Sequence, residues 1–231
     1  MLVIAIMIVA AGSALQAATG MGMALFAAPL LALIDPAFVP GPVLCAVTAL
    51  SAAVAWRERA AIDRRVLSVA LLGLSAGCAI GAILFAVLIG RDLGRVFAAL
   101  ILAAVFLSMA GLRIRISRLA PLIGGAASGI LGTMAGVQGP PIALVLQHEP
   151  PDRLRATLCA FFAFGSLVSL MALAAAGVFG IGKLGIGLEL MPGVVLGFAV
   201  APLFARRIER RQARLAVLTI STLSALALLL R

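Results

Sequence analysis

Side chains that donate hydrogen bonds without carrying charge sit beside two glycine-rich interruptions of this 231-residue chain. Gln16 and Thr19 precede or open Thr19-Gly20-Met21-Gly22, and Thr133 and Gln138 flank or enter Gly136-Val137-Gln138-Gly139-Pro140-Pro141. Amides and hydroxyls of this kind suit reversible binding of a small anion, which needs donors but no charge so strong that it cannot leave. A helix N-terminus adds unpaired N–H groups and about half a positive charge. Helical arms beginning near Met23 and near Pro140 would each present one, and proline is tolerated there because its missing N–H had no partner anyway. The candidate binding residues are therefore Gln16, Thr19, Gly20, Gly22, Met23, Thr133, Gln138, Gly139 and Pro140. A plainer reading is that Gln16 and Gln138 only cap broken backbone or join helices.

The elements that must position these residues are apolar and long. Hydrophobic residues make up 64% of the chain and charged residues 11%, which excludes an ordinary soluble domain. Apolar stretches fall at 2–34, 39–56, 66–89, 94–112, 119–147, 155–178, 184–205 and 213–230, and most reach the ~20 residues of a transmembrane helix. They lack the alternation of a membrane β-barrel. Both interruptions lie inside such stretches. Glycine loosens a helix and proline removes a donor, so each stretch should break there. Backbone freed at membrane depth must be covered by protein or line a watery cavity, and paired breaks in corresponding halves point to a transporter's binding site.

The net charge of +10 comes from arginines in short loops, a positive-inside pattern rather than a nucleic-acid face. Arg57, Arg59, Arg64 and Arg65, then Arg113, Arg115 and Arg118, then Arg206, Arg207, Arg210, Arg211 and Arg214 mark three cytoplasmic loops. The loops with Arg91 and Arg95, or with Lys183, are poorer. Eight simple crossings cannot put all three rich loops on one side. The conflict disappears if 119–147 enters and returns as a hairpin. Residues 2–34 as one rod would measure ~50 Å against a ~30 Å hydrocarbon core, so the same folding is expected there. Both termini then lie outside and the two halves are inverted.

Duplication supports this division. An offset of 116 aligns Gly20 with Gly136, and Gly77-x-x-x-Gly81 with Gly193-x-x-x-Gly197; an offset of 114 aligns Asp35-Pro36 with Glu149-Pro150, and Leu44-Cys45-Ala46 with Leu158-Cys159-Ala160. The expected architecture is all-α and polytopic. Residues 1–115 and 116–231 form two inverted repeats, each a broken hairpin followed by three transmembrane helices, within one membrane domain.

Gly20-Met21-Gly22-Met23 leading to Pro29-Leu30-Leu31, with Asp35-Pro36 and Val39-Pro40-Gly41-Pro42, resembles the sulfite exporter TauE/SafE family. Trp56-Arg57-Glu58-Arg59, Ser128-Gly129-Ile130-Leu131-Gly132-Thr133 before Gly139-Pro140-Pro141, and Arg155-Ala156-Thr157-Leu158 extend the likeness along nearly the whole chain. The resemblance implies a bacterial inner-membrane transporter of two repeats that exports sulfite or small organosulfur anions. Met21 and Met23 stand where many relatives carry Phe or Gly, a departure that bears on pocket shape.

Other polar residues have double readings. Arg155 either draws anions to the inner mouth or, with Arg153, only signals orientation. Glu189, in a predicted span before Met191-Pro192-Gly193, is a candidate for proton coupling or simply reaches water. Thr48 with Ser51, and Ser166 with Ser169, share helix faces and either line the pathway or bond within their own helices, the second being preferred. Trp56 reads as an interfacial anchor. Residues 1–10 lack the charged start of a signal peptide. Cys45, Cys78, Cys159 and the single His148 make no metal site, and no cofactor is expected. Lipid is the expected surroundings, and a homo-oligomer is left open. The expected activity is secondary transport by alternating access rather than enzymatic, with an anion channel as the alternative.

Overall fold

In a computed structural model the described residues are 1–88, 93–109, 119–207 and 210–230, without the side chains of 93, 204–207 and 210–214. Arg91, Asp92, Arg113, Arg115, Arg118 and Glu209 lie outside them, as do the side chains of Arg206, Arg207, Arg210, Arg211 and Arg214. The described residues form helices without a strand: α1 (Leu2–Thr19), α2 (Met23–Ile34), α3 (Gly41–Arg57), α4 (Arg64–Leu88), α5 (Leu93–Met109), α6 (Ala120–Ala135), α7 (Gly139–Val145), α8 (Pro151–Ala175), α9 (Ile181–Glu189), α10 (Met191–Arg207) and α11 (Arg210–Leu229). Single 3-10 turns at Pro36–Phe38 and Arg59–Ala61 complete the connections.

Both expected breaks are present and are made in the same way. Gly20 closes α1 with φ 93° and its N–H on Gln16 O, and Gly136 closes α6 with φ 76° and its N–H on Gly132 O. A residue with a side chain rarely takes this left-handed conformation, so glycine ends each helix. The chain then doubles back. Gly12 lies against the Met23 backbone, while Gly132 faces Gln138 and Ser128 Oγ accepts from Ile142 N–H. Each apolar stretch is thus a helical hairpin.

A third break was not foreseen. The stretch 184–205 divides at Leu190 into α9 and α10. Pro192, the second residue of α10, lacks an N–H and its ring opposes the carbonyl of Leu188, so a continuous helix is disfavoured here.

Helices of the two halves pack on one another. α4 runs along α6 and α10 along α1; α3 lies on α8, and α5 on α11. Glycines allow the closest approaches. Gly73 and Gly77 leave no room for a side chain beside the carbonyls of Leu122 and Ala126, and Gly193 and Gly197 none beside those of Ile6 and Ala10. Residues 6 and 10 lie 116 before 122 and 126, so Gly73 and Gly77 are the counterparts of Gly193 and Gly197, one turn from the Gly77/Gly81 alignment. α3 and α8 run antiparallel: Asp63, after α3, donates its N–H to Thr157 Oγ1 near the start of α8, whereas Gly41 meets Phe179 beyond its end.

Leu72, Ile83, Val87, Phe106, Ile123, Met171, Val195 and Leu203 face outward. The helices α1, α4 and α8 and the segment Ile181–Leu203 are long and apolar enough to cross a membrane. An apolar exterior over a core of Ala, Val, Leu and Phe is what lipid surroundings require. The protein is a polytopic helical membrane protein.

Candidate functional site

The two breaks line one cavity. Gln16, Met21, Gly22, Ala24 and Leu25 come from the first hairpin, and Gly136, Val137, Gln138, Gly139 and Pro140 from the second; Val47, Ser108 and Phe162 of α3, α5 and α8 complete it. Its volume is about 30 Å3, room for roughly one water. Among the described residues, no acidic or basic side chain is in this lining. Donors therefore come from amides, hydroxyls and backbone.

Gln16 and Gln138 are each 2% exposed. Gln16 Nε2 donates to Ser51 Oγ at 2.7 Å. Gln138 Nε2 approaches Ser169 Oγ at 3.5 Å, while its Oε1 is buried without a partner. Ser169 Oγ also accepts from Thr133 Oγ1 at 2.9 Å and lies 3.3 Å from Cys78 Sγ. Neither Ser51 nor Ser169 bonds back along its own helix among the hydrogen bonds described. Thr48 and Ser166 do so, to Leu44 O and Phe162 O, and Thr48 Oγ1 also donates to Ser166 Oγ at 2.7 Å.

The helix starts differ. At α2, Met23, Ala24 and Leu25 precede the first intrahelical bond, from Phe26 N–H to Gly22 O at 2.9 Å, so three N–H groups are left over. At α7 the same three places are Gly139, Pro140 and Pro141. Only Gly139 has an N–H there, and α7 spans just 7 residues. The two expected helix starts are present, and they differ in the number of backbone N–H groups they offer.

Of the candidates read from sequence, Gln16, Gly22, Gln138, Gly139 and Pro140 meet at the cavity, and Thr19, Gly20, Met23, Thr133 and Arg155 are not in its lining. Thr19 Oγ1 is engaged by Leu15 O and Met21 O, closing the first break. Met23 is fully buried against Gly12. Arg155 donates from Nε to Glu58 Oε2 at 2.7 Å and lies 3.5 Å from Asp152 Oδ1. Its backbone packs on Gly20, where a Cβ would come within 2.8 Å of Arg155 Cα. Arg153 pairs with Glu149 at 3.5 Å and Asp63 at 4.0 Å. Glu189 is exposed and shares a separate opening with Asp35, at the other end of α3 and α8. Trp56 is exposed with Arg59 stacked over its ring at 4.9 Å, as an interfacial anchor would be.

Val47 and Phe162 reach the cavity from the helices whose Thr48, Ser51, Ser166 and Ser169 had two readings, and Ser108 from α5, where no residue was singled out. Gly73-Leu74-Ser75-Ala76-Gly77 has the spacing of a hydrolase nucleophile turn, but it lies inside α4 with Ser75 Oγ on Leu71 O. It is therefore helix, not the strand-to-helix elbow that such a nucleophile requires. No group of three metal-binding side chains occurs among the described residues.

The sulfite exporter TauE/SafE family model matches residues 4–228. The chain belongs to this family. No curated protein and no solved structure matches it. TauE/SafE proteins are transporters exporting sulfur-containing anions, and the match covers almost the full length over which the resemblance was read. In a transporter of this class, the paired breaks and the cavity between them are the natural place to seek the cargo.

Proposed function

We propose that this TauE/SafE chain is a secondary transporter that exports sulfite or a related small organosulfur anion across the bacterial inner membrane. The single observation that carries the reading is that breaks from both halves line one buried cavity containing both glutamines. Gln16, Gln138, Gly139 and the N–H groups at the start of α2 supply donors to the anion, and Gly22 and Pro140 shape the space. Thr19, Gly20, Met23 and Thr133 hold this arrangement from behind, and Arg155 acts at the mouth, with Glu58 moderating its charge.

Residues 1–115 and 116–231 act as inverted repeats that rock against each other. Support comes from the matched packing of α4 on α6 and α10 on α1, and from the Thr48–Ser166 contact between α3 and α8. A lining drawn from both halves fits a carrier that alternates around one central site better than a standing pore. Coupling by a proton carried on the anion itself suits a lining without carboxylates; Glu189 would have to act from the Asp35 opening.

The test is flux from reconstituted vesicles with sulfite, sulfoacetate, sulfate and chloride in parallel. Saturable efflux of sulfite or sulfoacetate is expected. Unitary currents would instead establish the channel reading, and equal handling of chloride would remove selectivity for sulfur-containing anions.

A further inference from the structure

Ser51 and Ser169 have similar surroundings. Each lies three residues beyond a hydroxyl, Thr48 or Ser166, and those two hydroxyls touch where α3 meets α8. Both serines are fully buried, and each meets a cavity-lining glutamine.

The glutamines are not at matching positions. Counting from the glycine that ends each first arm, Gln16 lies four residues before Gly20, and the residue four before Gly136 is Gly132. Gln138 lies two residues after Gly136, and the residue two after Gly20 is Gly22. Each half thus holds one glutamine and one glycine in exchanged order. The exchange has a steric basis, since a Cβ on Gly132 would collide with the Gln138 Cγ. On the first side, the backbone at Gly22 has φ 118°, a conformation unfit for glutamine.

We propose that Ser51 and Ser169 are positioning residues for the transported anion, each fixing one carboxamide so that its remaining hydrogen-bonding capacity faces the ligand. What the site requires is an amide on a serine at each side, and either arm of a hairpin can supply it. A carboxamide has two N–H groups and an oxygen, and one serine engages only part of that capacity. Gln138 Oε1, buried and without a partner, is the remainder on one side. Swapping the oxygen and nitrogen of that amide leaves the serine contact intact and turns an N–H toward the open position instead. A glutamine kept only to join helices would have both ends satisfied.

This inference rests on the reading that Gln16 and Gln138 bind the anion, and one set of vesicle measurements separates the two. Half-saturation and maximal rate of sulfite efflux are compared for Ser51→Ala, Ser169→Ala, Gln16→Ala, Gln138→Ala and Ser169→Ala/Gln138→Ala, at equal amounts of monodisperse protein. Each serine variant should raise the half-saturation concentration about tenfold. Maximal rate should change far less, and the double variant should be no worse than Gln138→Ala. Gly132→Gln/Gln138→Gly should recover saturation lost in Gln138→Gly, because the new side chain fills the vacated space beside Ser169. Impaired glutamine variants with unaffected serine variants would overturn the positioning role alone. Unaffected glutamine variants would overturn the anion site as well. Independent, additive losses for Ser169 and Gln138 would also overturn the pairing.

Discussion

At the first break, helix α2 opens with the N–H groups of Met23, Ala24 and Leu25 ahead of its first internal bond; at the second, α7 opens with Gly139 followed by two prolines. The two breaks end their preceding helices alike, on left-handed glycines, yet begin the next helices with different donor sets. Where the backbone is rich in N–H, the first residue before the new helix is Gly22; where prolines remove them, it is Gln138. On the proposed reading, side-chain amide and backbone amide are alternative sources of donors to the anion. The braces differ as well. Gly20 presses on Arg155, whose guanidinium is held by Glu58, whereas at Gly136 the nearest described atoms, of Val43 and Pro40, are 3.5 Å or more from where a Cβ would sit.

The largest effect expected from this contrast is Gly20→Ala against Gly136→Ala. Both add a side chain to a left-handed residue, costing about 1–2 kcal/mol. At Gly20 the new Cβ also meets Arg155 Cα at 2.8 Å, a backbone contact that cannot turn aside. Gly20→Ala should therefore fail to yield monodisperse protein, while Gly136→Ala is recovered with a modestly lower melting temperature. Equal recovery of both would show that the braces are equivalent.

Next in size is the pair of glutamines. Removing a hydrogen bond to an anion costs about 1.5–3 kcal/mol, a loss of roughly 10–100-fold in apparent affinity. Gln138→Ala should fall at the severe end, because Gly139 is the sole backbone donor left at the start of α7. Gln16→Ala should be milder, with three backbone N–H groups nearby on α2. Half-saturation of sulfite efflux measures both; a reversed order would mean that the donor sets do not compensate as argued.

The breaks themselves were legible because Gly136 to Pro141 and Gly20 to Gly22 interrupt apolar runs too long for one crossing. That folding of 2–34 and 119–147 into hairpins followed from length and arginine placement. The break at Leu190 was hidden because its only signal is Pro192 in a continuous apolar stretch. Which hydroxyl meets which amide was not legible either. Ser51 and Gln16 are 35 residues apart, and their pairing depends on how α1 crosses α3. Thr19 looked like a donor to a ligand, but a hydroxyl next to a broken helix end finds backbone carbonyls first. The glycine contacts were misaligned by one turn because glycines recur every four residues along α4, at 73, 77 and 81, so spacing alone leaves the register open.

The braces are compared by Glu58→Gln and Arg155→Gln. With side chains 15% and 21% exposed, this pair is partly desolvated, so breaking it from either side should cost about 1–3 kcal/mol. Replacing both together should cost less than the sum, and Val43→Ala at the other break should destabilise with little dependence on salt. Melting temperatures across a salt series test this. Additive losses would remove the ion pair as the link between the first break and α8.

The smallest effect is the most direct probe of the donor comparison. Pro140→Ala puts back an N–H at the second residue of α7, beside the cavity that Pro140 lines, and breaks no hydrogen bond in doing so. The unfolded chain gains freedom, so stability should fall by about 0.4–1 kcal/mol. An added neutral donor to an anion should nevertheless lower the half-saturation concentration about two- to tenfold. If release limits turnover, the maximal rate falls in the same variant, since tighter holding slows departure. Opposite movement of stability and apparent affinity distinguishes a new contact to the anion from a general tightening of the fold. Unchanged half-saturation would place the start of α7 beyond reach of the cargo, leaving the Gln138 amide as that side's whole contribution.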